Sequence, residues 1–248
     1  MTLLLALKGE NGMVLAADSR GTFGDPRGVT AQNDSMCKTF ILASHVAAIE
    51  AGSSELGATV LKQTQNAIAA QPGMDGIETI VPILHQTARK LYDTWFPSLP
   101  QTAMPSPQTG GVIGRPDLIF IIGGYERDQS GNFSRPVIYQ LNSALNFAPM
   151  IHDYGFAVAG VATYALYLLN RLYQADRKAQ EELAPLAVYA ISETASQDGK
   201  VGGPIRVVIV SPTGSKELSV SEVDEIVKRN ATKTTALRNN FYEGRATT

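Results

Sequence analysis

Gly12-Met13-Val14-Leu15-Ala16-Ala17-Asp18-Ser19-Arg20 is the stretch on which the reading of this chain turns. An unbroken apolar run ends abruptly on a carboxylate, a hydroxyl and a guanidinium. Upstream, Glu10-Asn11-Gly12 separates that run from another, Thr2 to Lys8. Two apolar runs joined through Asn-Gly predict a β-hairpin, because both central residues of a tight primed turn take positive φ. Downstream come a Gly/Pro-rich loop from Gly21 to Gly28, a polar stretch to Ser35, and two more strand-like runs, Cys37 to Ala43 and His45 to Gly52. Four strands thus open the chain.

Past Gly52 the apolar period changes from two to about 3.6. Leu56, Val60, Thr64, Ala67 and Ile68 mark a helix that Ser53 or Ser54 can cap and Pro72-Gly73 ends. Ile77, Val81, Leu84, Ala88, Leu91 and Trp95 mark a second, stopped at Pro97. The segment from Pro97 to Pro116 reads as a long Pro/Ser/Gly-rich loop. Strands follow at Leu118 to Ile122, Val137 to Leu141 and Tyr154 to Ala159. A helix is expected from Gly160 to about Arg177, and another with Pro185 near its start ends near Asp198. The strand Ile205 to Val210, a short amphipathic helix over Val220 to Val227, and a polar tail from Lys228 to Thr248 complete the order. Paired helices make poor crossovers for a parallel sheet, so a mainly antiparallel sheet layer covered by helix pairs is predicted. Residues 1–248 read as one domain, with the core over 2–212.

Composition narrows the function. The 248 residues carry 21 basic and 23 acidic side chains, a net charge of −2, which leaves no basic field for nucleic acid or an anionic membrane. A chain of this length buries roughly 70% of its unfolded surface, so a substantial core is available. Cys37 is the single cysteine, which excludes an internal disulfide or a cysteine zinc site and predicts a reducing compartment. His45, His85 and His152 lack metal-ligand spacing, and no metal or organic cofactor is implied. The apolar opening at Leu3 to Leu7 is too short for a secretory or spanning segment, and so is Phe156 to Leu169, interrupted by Gly160 and Thr163. A soluble, cytoplasmic protein is expected.

The chemistry begins at position 2. Removal of Met1 would leave Thr2 with a hydroxyl nucleophile and its own base, since a free α-amine has a pKa of about 7.7 to 8.0. Such a centre also needs a cation beside the hydroxyl and a donor for the oxyanion. Singly, Asp18 and Lys38 read as an interstrand ion pair and Gly52 as a turn before a helix. At their spacing from Thr2, the set reads as catalytic.

Here the chain resembles the proteasome β-type subunits of the N-terminal-nucleophile hydrolases. The resemblance rests on Gly12 to Arg20 at the family's distance from Thr2, followed by Gly21-Thr22. It continues through Lys38, Ala51-Gly52, Val158-Ala159-Gly160 leading into Tyr164-Ala165-Leu166, and Ala190-Ile191-Ser192 leading to Asp198 and Gly202-Gly203. It implies a four-layer αββα sandwich, an α+β fold with mainly antiparallel sheets. By position it makes Thr2 the nucleophile, Lys38 the cation held by Asp18, and the Gly52 backbone N–H the oxyanion donor, with Asp198 in the same set. Thr22, Glu50 and Gly52 would bind substrate; Glu50, on the face of Gly52 by strand alternation, would either floor the pocket for the side chain before the scissile bond and favour Lys or Arg, or be neutralised by a neighbouring Lys or Arg or face a solvent-filled chamber.

The resemblance also implies identical subunits in a ring or stacked rings, unfolded protein or peptide as substrate, and leaves an ATPase unfoldase open. Two departures bear on activity. Val161 and Val201 stand where catalytic subunits of the family carry serines that orient the terminal amine. Together with the long 97–116 loop and the extra residues between Thr22 and Lys38, they point to a divergent bacterial branch. Weak, narrow or absent turnover stays open, as does a specific amidase or ligase activity on a small substrate.

Overall fold

The computed structural model describes residues 2–25, 28–71, 73–100, 104–105 and 112–242. The opening hairpin is present: β1 (Leu3–Lys8) and β2 (Met13–Ala17) pair antiparallel, from Leu4 opposite Ala17 to Lys8 opposite Met13. Its turn is not of the primed kind that Asn-Gly predicts, because neither Asn11 nor Gly12 has positive φ. Gly9 N–H donates to the Gly12 carbonyl at 2.8 Å, and the Asn11 side chain accepts from Ala179 N–H. Gly12 is there for space, since a Cβ would come within 2.8 Å of the Val210 carbonyl oxygen.

The stretch expected to be a loop and a polar segment is a ribbon, β3 (Gly21–Asp25) against β4 (Gly28–Asn33). Strands β5 (Thr39–Ala43) and β6 (Val46–Gly52) follow as expected, then α1 (Ser54–Ala69) and α2 (Ile77–Trp95). Ser53 occupies the N-cap of α1 without making a side-chain capping bond. Part of the expected 97–116 loop, residues 101–103 and 106–111, lies outside the described residues. Two short strands within it, β7 (Met104–Pro105) and β8 (Val112–Ile113), pair with each other.

Long strands β9 (Leu118–Arg127) and β10 (Phe133–Asn142) precede the short β11 (Met150–Ile151) and then β12 (Phe156–Gly160). Helix α3 covers only Thr163–Leu172, shorter than the 160–177 expected. Gly160 has φ of +86°, and Tyr173 is extended with its hydroxyl 2.6 Å from the Lys8 carbonyl oxygen, so both ends are tied outside the helix. A π-helical turn, Ala179–Leu183, leads into α4 (Ala184–Gln197), with Pro185 in its first turn. Strands β13 (Arg206–Ser211) and β14 (Gly214–Glu217) form a hairpin, the second of them not foreseen. The expected short helix and the tail as far as Tyr242 are one helix, α5 (Val220–Tyr242), and the tail residues 243–248 lie outside the described residues. Val223 and Ile226 anchor it, and Asn230 extends the attachment by donating to the Pro185 carbonyl.

The strands form two five-stranded antiparallel sheets, β12-β1-β2-β13-β14 and β11-β10-β9-β6-β5. Between the sheets pack Leu4, Ala6, Met13 and Leu15 from one and Ala47, Ile49 and Ile121 from the other. The opposite face of the first sheet, with Leu3, Leu5, Leu7 and Val14, meets α3, α4 and α5 through Leu169, Val188, Ile191 and Val223. The opposite face of the second, with Val46, Ala48, Phe120 and Ile122, meets α1 and α2 through Val60, Leu61, Ile80 and Leu84. This is the αββα sandwich, with mainly antiparallel sheets. It explains why β1 and β2 are apolar without alternation: each face of each strand is covered. No helix among the described residues is long and apolar enough to cross a membrane.

Phe120 is fully buried between the second sheet and its helices. Phe120→Ala should therefore lower the unfolding free energy by about 3–5 kcal/mol in equilibrium denaturation.

Candidate functional site

The last residue of β2 hands the chain to Asp18, whose carboxylate accepts four hydrogen bonds. Oδ1 takes Leu3 N–H at 3.0 Å and the Lys38 ammonium at 3.0 Å; Oδ2 takes Arg20 N–H at 3.2 Å and Gly202 N–H at 3.0 Å. Asp18 and Lys38 are each 1% exposed. Lys38 also donates to the Arg20 carbonyl at 2.6 Å. Burial depresses the Lys38 pKa below the ordinary lysine value, with Asp18 opposing the shift. A buried ion pair is tolerated only when its remaining polar capacity is satisfied, and here backbone groups supply that.

Thr2 lies one residue before the Leu3 amide that Asp18 holds. Its carbonyl accepts Val161 N–H at 2.8 Å, and a Cβ at Gly160 would sit 1.8 Å from that same oxygen. Gly160, with its positive φ, is therefore fixed by the close approach of the Thr2 segment. The structure thus brings Thr2, Asp18 and Lys38 together, through a carboxylate oxygen shared by the Leu3 amide and the ammonium. Val161 packs against the helix-side core and Val201 is fully buried in it.

Gly52 ends β6 with φ of +117°, and a Cβ there would lie 2.1 Å from the Asp117 carbonyl oxygen. Only glycine fits that backbone, which leaves Gly52 exposed beside α1. Thr22 is half-buried on β3, opposite Gln32. Asp198 follows α4, and its carboxylate accepts Lys200 N–H at 2.9 Å. It shapes the turn, while Gly202 in the same loop reaches Asp18 and its carbonyl accepts Ser19 N–H.

Arg20 is a site residue that sequence reasoning quoted without giving a role. Its guanidinium meets Asp34 in two bonds of 2.7 and 2.8 Å and also donates to the Gly199 carbonyl. It ties the β3–β4 ribbon and the 198–202 loop to the segment that holds Lys38. A groove of about 880 Å³ between α4 and α5 touches Ser19 and Gly202 but is not lined by Thr2, Lys38 or Gly52.

Glu50 departs from its expected place as an open pocket floor. It has no exposed surface, and neither carboxyl oxygen has a hydrogen-bond partner. A Cβ at Gly57 of α1 would fall 2.1 Å from Oε2, so the absence of a side chain at Gly57 makes room for the carboxyl. Desolvation raises the Glu50 pKa to about 8; Lys38 lowers it and Glu55 adds to the rise. Burial thus favours the neutral acid form of Glu50.

No protein-family model matches the chain, and comparison of its sequence with curated proteins gives no match. Its structure resembles a (Gly-1) mutant of Anbu from Hyphomicrobium sp. strain MC1, with TM-score 0.68, 20% identity and 97% of each chain covered. It resembles another structure of Anbu from that strain, with TM-score 0.67, 19% identity and 96% of each covered. The chain therefore shares the fold of these structures, a proteasome-like αββα sandwich.

Because the folded pKa of Glu50 lies above the ordinary carboxylate value, its favourable contribution is complete below the ordinary value and is lost as pH rises through about 8. Thermal unfolding of Glu50→Gln should gain on the parent steadily from pH 5 to 8.5. Separately, Asp18→Asn should cost about 3–5 kcal/mol, because it strands the Lys38 charge.

Proposed function

We propose that the chain is a threonine peptidase of proteasome type, with Thr2 as its N-terminal nucleophile once Met1 is removed. The observation that carries this reading is Asp18 Oδ1, which accepts both the amide following Thr2 and the Lys38 ammonium. That contact holds a cation next to the start of the chain, where it favours the ionised form of a hydroxyl.

In the proposed reaction the Thr2 hydroxyl adds to a peptide carbonyl while its proton passes to the α-amine. The Gly52 N–H receives the developing oxyanion, and Lys38 stabilises the negative charge near the hydroxyl. Breaking the C–N bond returns the proton to the leaving amine and leaves an ester on Thr2. Water then cleaves the ester and restores the hydroxyl. Thr22 and Gly52 align the substrate backbone, and Asp198 shapes the loop that delivers Gly202 to Asp18. No cofactor enters these steps.

Identical subunits assemble in this reading as a ring or stacked rings that admit unfolded chains, in the cytoplasm; an ATPase unfoldase is not required by the chemistry. The likeness to Anbu supports this reading at the level of fold. A second reading, an assembly subunit without turnover, is favoured by Val161 and Val201, which give a terminal amine no hydroxyl partner.

A peptide epoxyketone reacts with the hydroxyl and amine of an N-terminal threonine together and separates the two readings. The parent should be labelled at Thr2, Thr2→Ala should not, and Thr2→Ser should retain partial labelling, with assembly unchanged. Lys38→Ala should lower the rate at least a hundredfold. An unlabelled, fully assembled parent would overturn the peptidase reading.

A further inference from the structure

Glu50 is a buried group the proposed reaction does not use. The β5–β6 ladder pairs Thr39 with Ile49, and Glu50 N–H donates to the Lys38 carbonyl at 3.0 Å. Lys38 and Glu50 are thus cross-strand neighbours, a placement that brings opposite charges together on one face of a sheet. Yet Lys38 gives its hydrogen bonds to Asp18 and Arg20, and both Glu50 oxygens are left bare.

An unpartnered carboxyl at zero exposure is costly, and the fold makes a specific space for it. Gly57 of α1 provides the opening, and Leu118 stands beside it. Across the ladder on β9 the opposite residue is Phe120. The charged or titratable groups acting on this enclosure are Lys38 just before β5, Glu55 from α1 and Tyr92 from α2. Lys38 is the one cation among them. Glu50 does not serve as its salt-bridge partner, because Asp18 already does.

We infer that Glu50 is a positioning residue that acts on Thr2 through Lys38: as a neutral acid it leaves the Lys38–Asp18 pair balanced, and as an anion it disables the nucleophile. The second negative charge opposes the cation's field at the Thr2 hydroxyl and tightens the hold of Lys38 on its proton. Both effects slow attack, whether Lys38 serves as a fixed cation or takes up a proton. The inference rests on Thr2 being the nucleophile. It departs from a pocket-floor role, which would need Glu50 to present its carboxylate to a substrate.

The test is the rate of epoxyketone labelling of the assembled protein against pH, for the parent, Glu50→Gln and Glu50→Met. The methionine fills the enclosure without a polar group should the amide prevent folding. In the parent the rate should fall about tenfold per pH unit above about 8. In both variants the fall should disappear, while the acid-side rise set by the terminal amine stays in place. The same alkaline fall in parent and variants would overturn the inference. So would a preference for Arg before the scissile bond that Glu50→Gln abolishes, since that assigns Glu50 to the substrate pocket. Should the parent fail to label at any pH, the peptidase reading fails, and NMR titration of the Lys38 side chain decides the inference. A Lys38 shift step near pH 8 that Glu50→Gln removes supports it; a step unchanged by the substitution, or none, contradicts it.

Discussion

The Asp18 carboxylate is the point from which the rest of the centre takes its position. Its two oxygens gather four donors from four parts of the chain: Leu3 at the start of β1, Arg20 before the β3–β4 ribbon, Lys38 before β5, and Gly202 before β13. Those segments lead into β1 and β13 of one five-stranded sheet, β5 of the other and the separate β3–β4 ribbon, so the carboxylate ties both sheets and the ribbon together. Its nearly complete burial raises the strength of each contact and the cost of losing one. The place of Thr2 follows, because the chain at Leu3 is held from one side by Asp18 and the Thr2 carbonyl is held from the other by Val161.

A single chemical theme runs through the electrostatics of the centre. Lys38 is buried with a balanced partner, while Glu50, opposite it in the ladder, is buried without one. Burial disfavours charge on both, which depresses the lysine and raises the glutamic acid. Gly57 carries no side chain where the carboxyl needs room, and Gly160 carries none where the Thr2 carbonyl approaches. Glycines at these contacts let polar groups sit where the packed layers would otherwise close.

Much of this was legible in the sequence. The apolar runs and the paired helices predicted an antiparallel sheet layer covered by helices, and only the resemblance implied four layers; the doubled sheet explains why β1 and β2 lack alternation, since burial on both faces erases it while a helix keeps its stripe. Asp18, Lys38 and Gly52 stood out by their spacing from Thr2, and the fold brings Asp18 and Lys38 into direct contact. Other features had no local signal. The β3–β4 ribbon is polar and Gly-rich, and α5 beyond Val227 has few buried residues, so neither carries a periodic pattern. Gly12 was read as a turn residue when its role is to admit the Val210 carbonyl, a contact made across the sheet. Glu50 could be placed on a strand face by alternation, but its enclosure depends on α1, and only the packed structure reveals that.

In the peptidase reading the reactive end of this protein begins at Thr2. Intact-mass and N-terminal peptide analysis of the purified, assembled protein tests it most directly. The expected result is a mature chain lacking Met1, with a free threonine amine at its start. A chain that retains Met1 would contradict it, because the nucleophile would then lack its base.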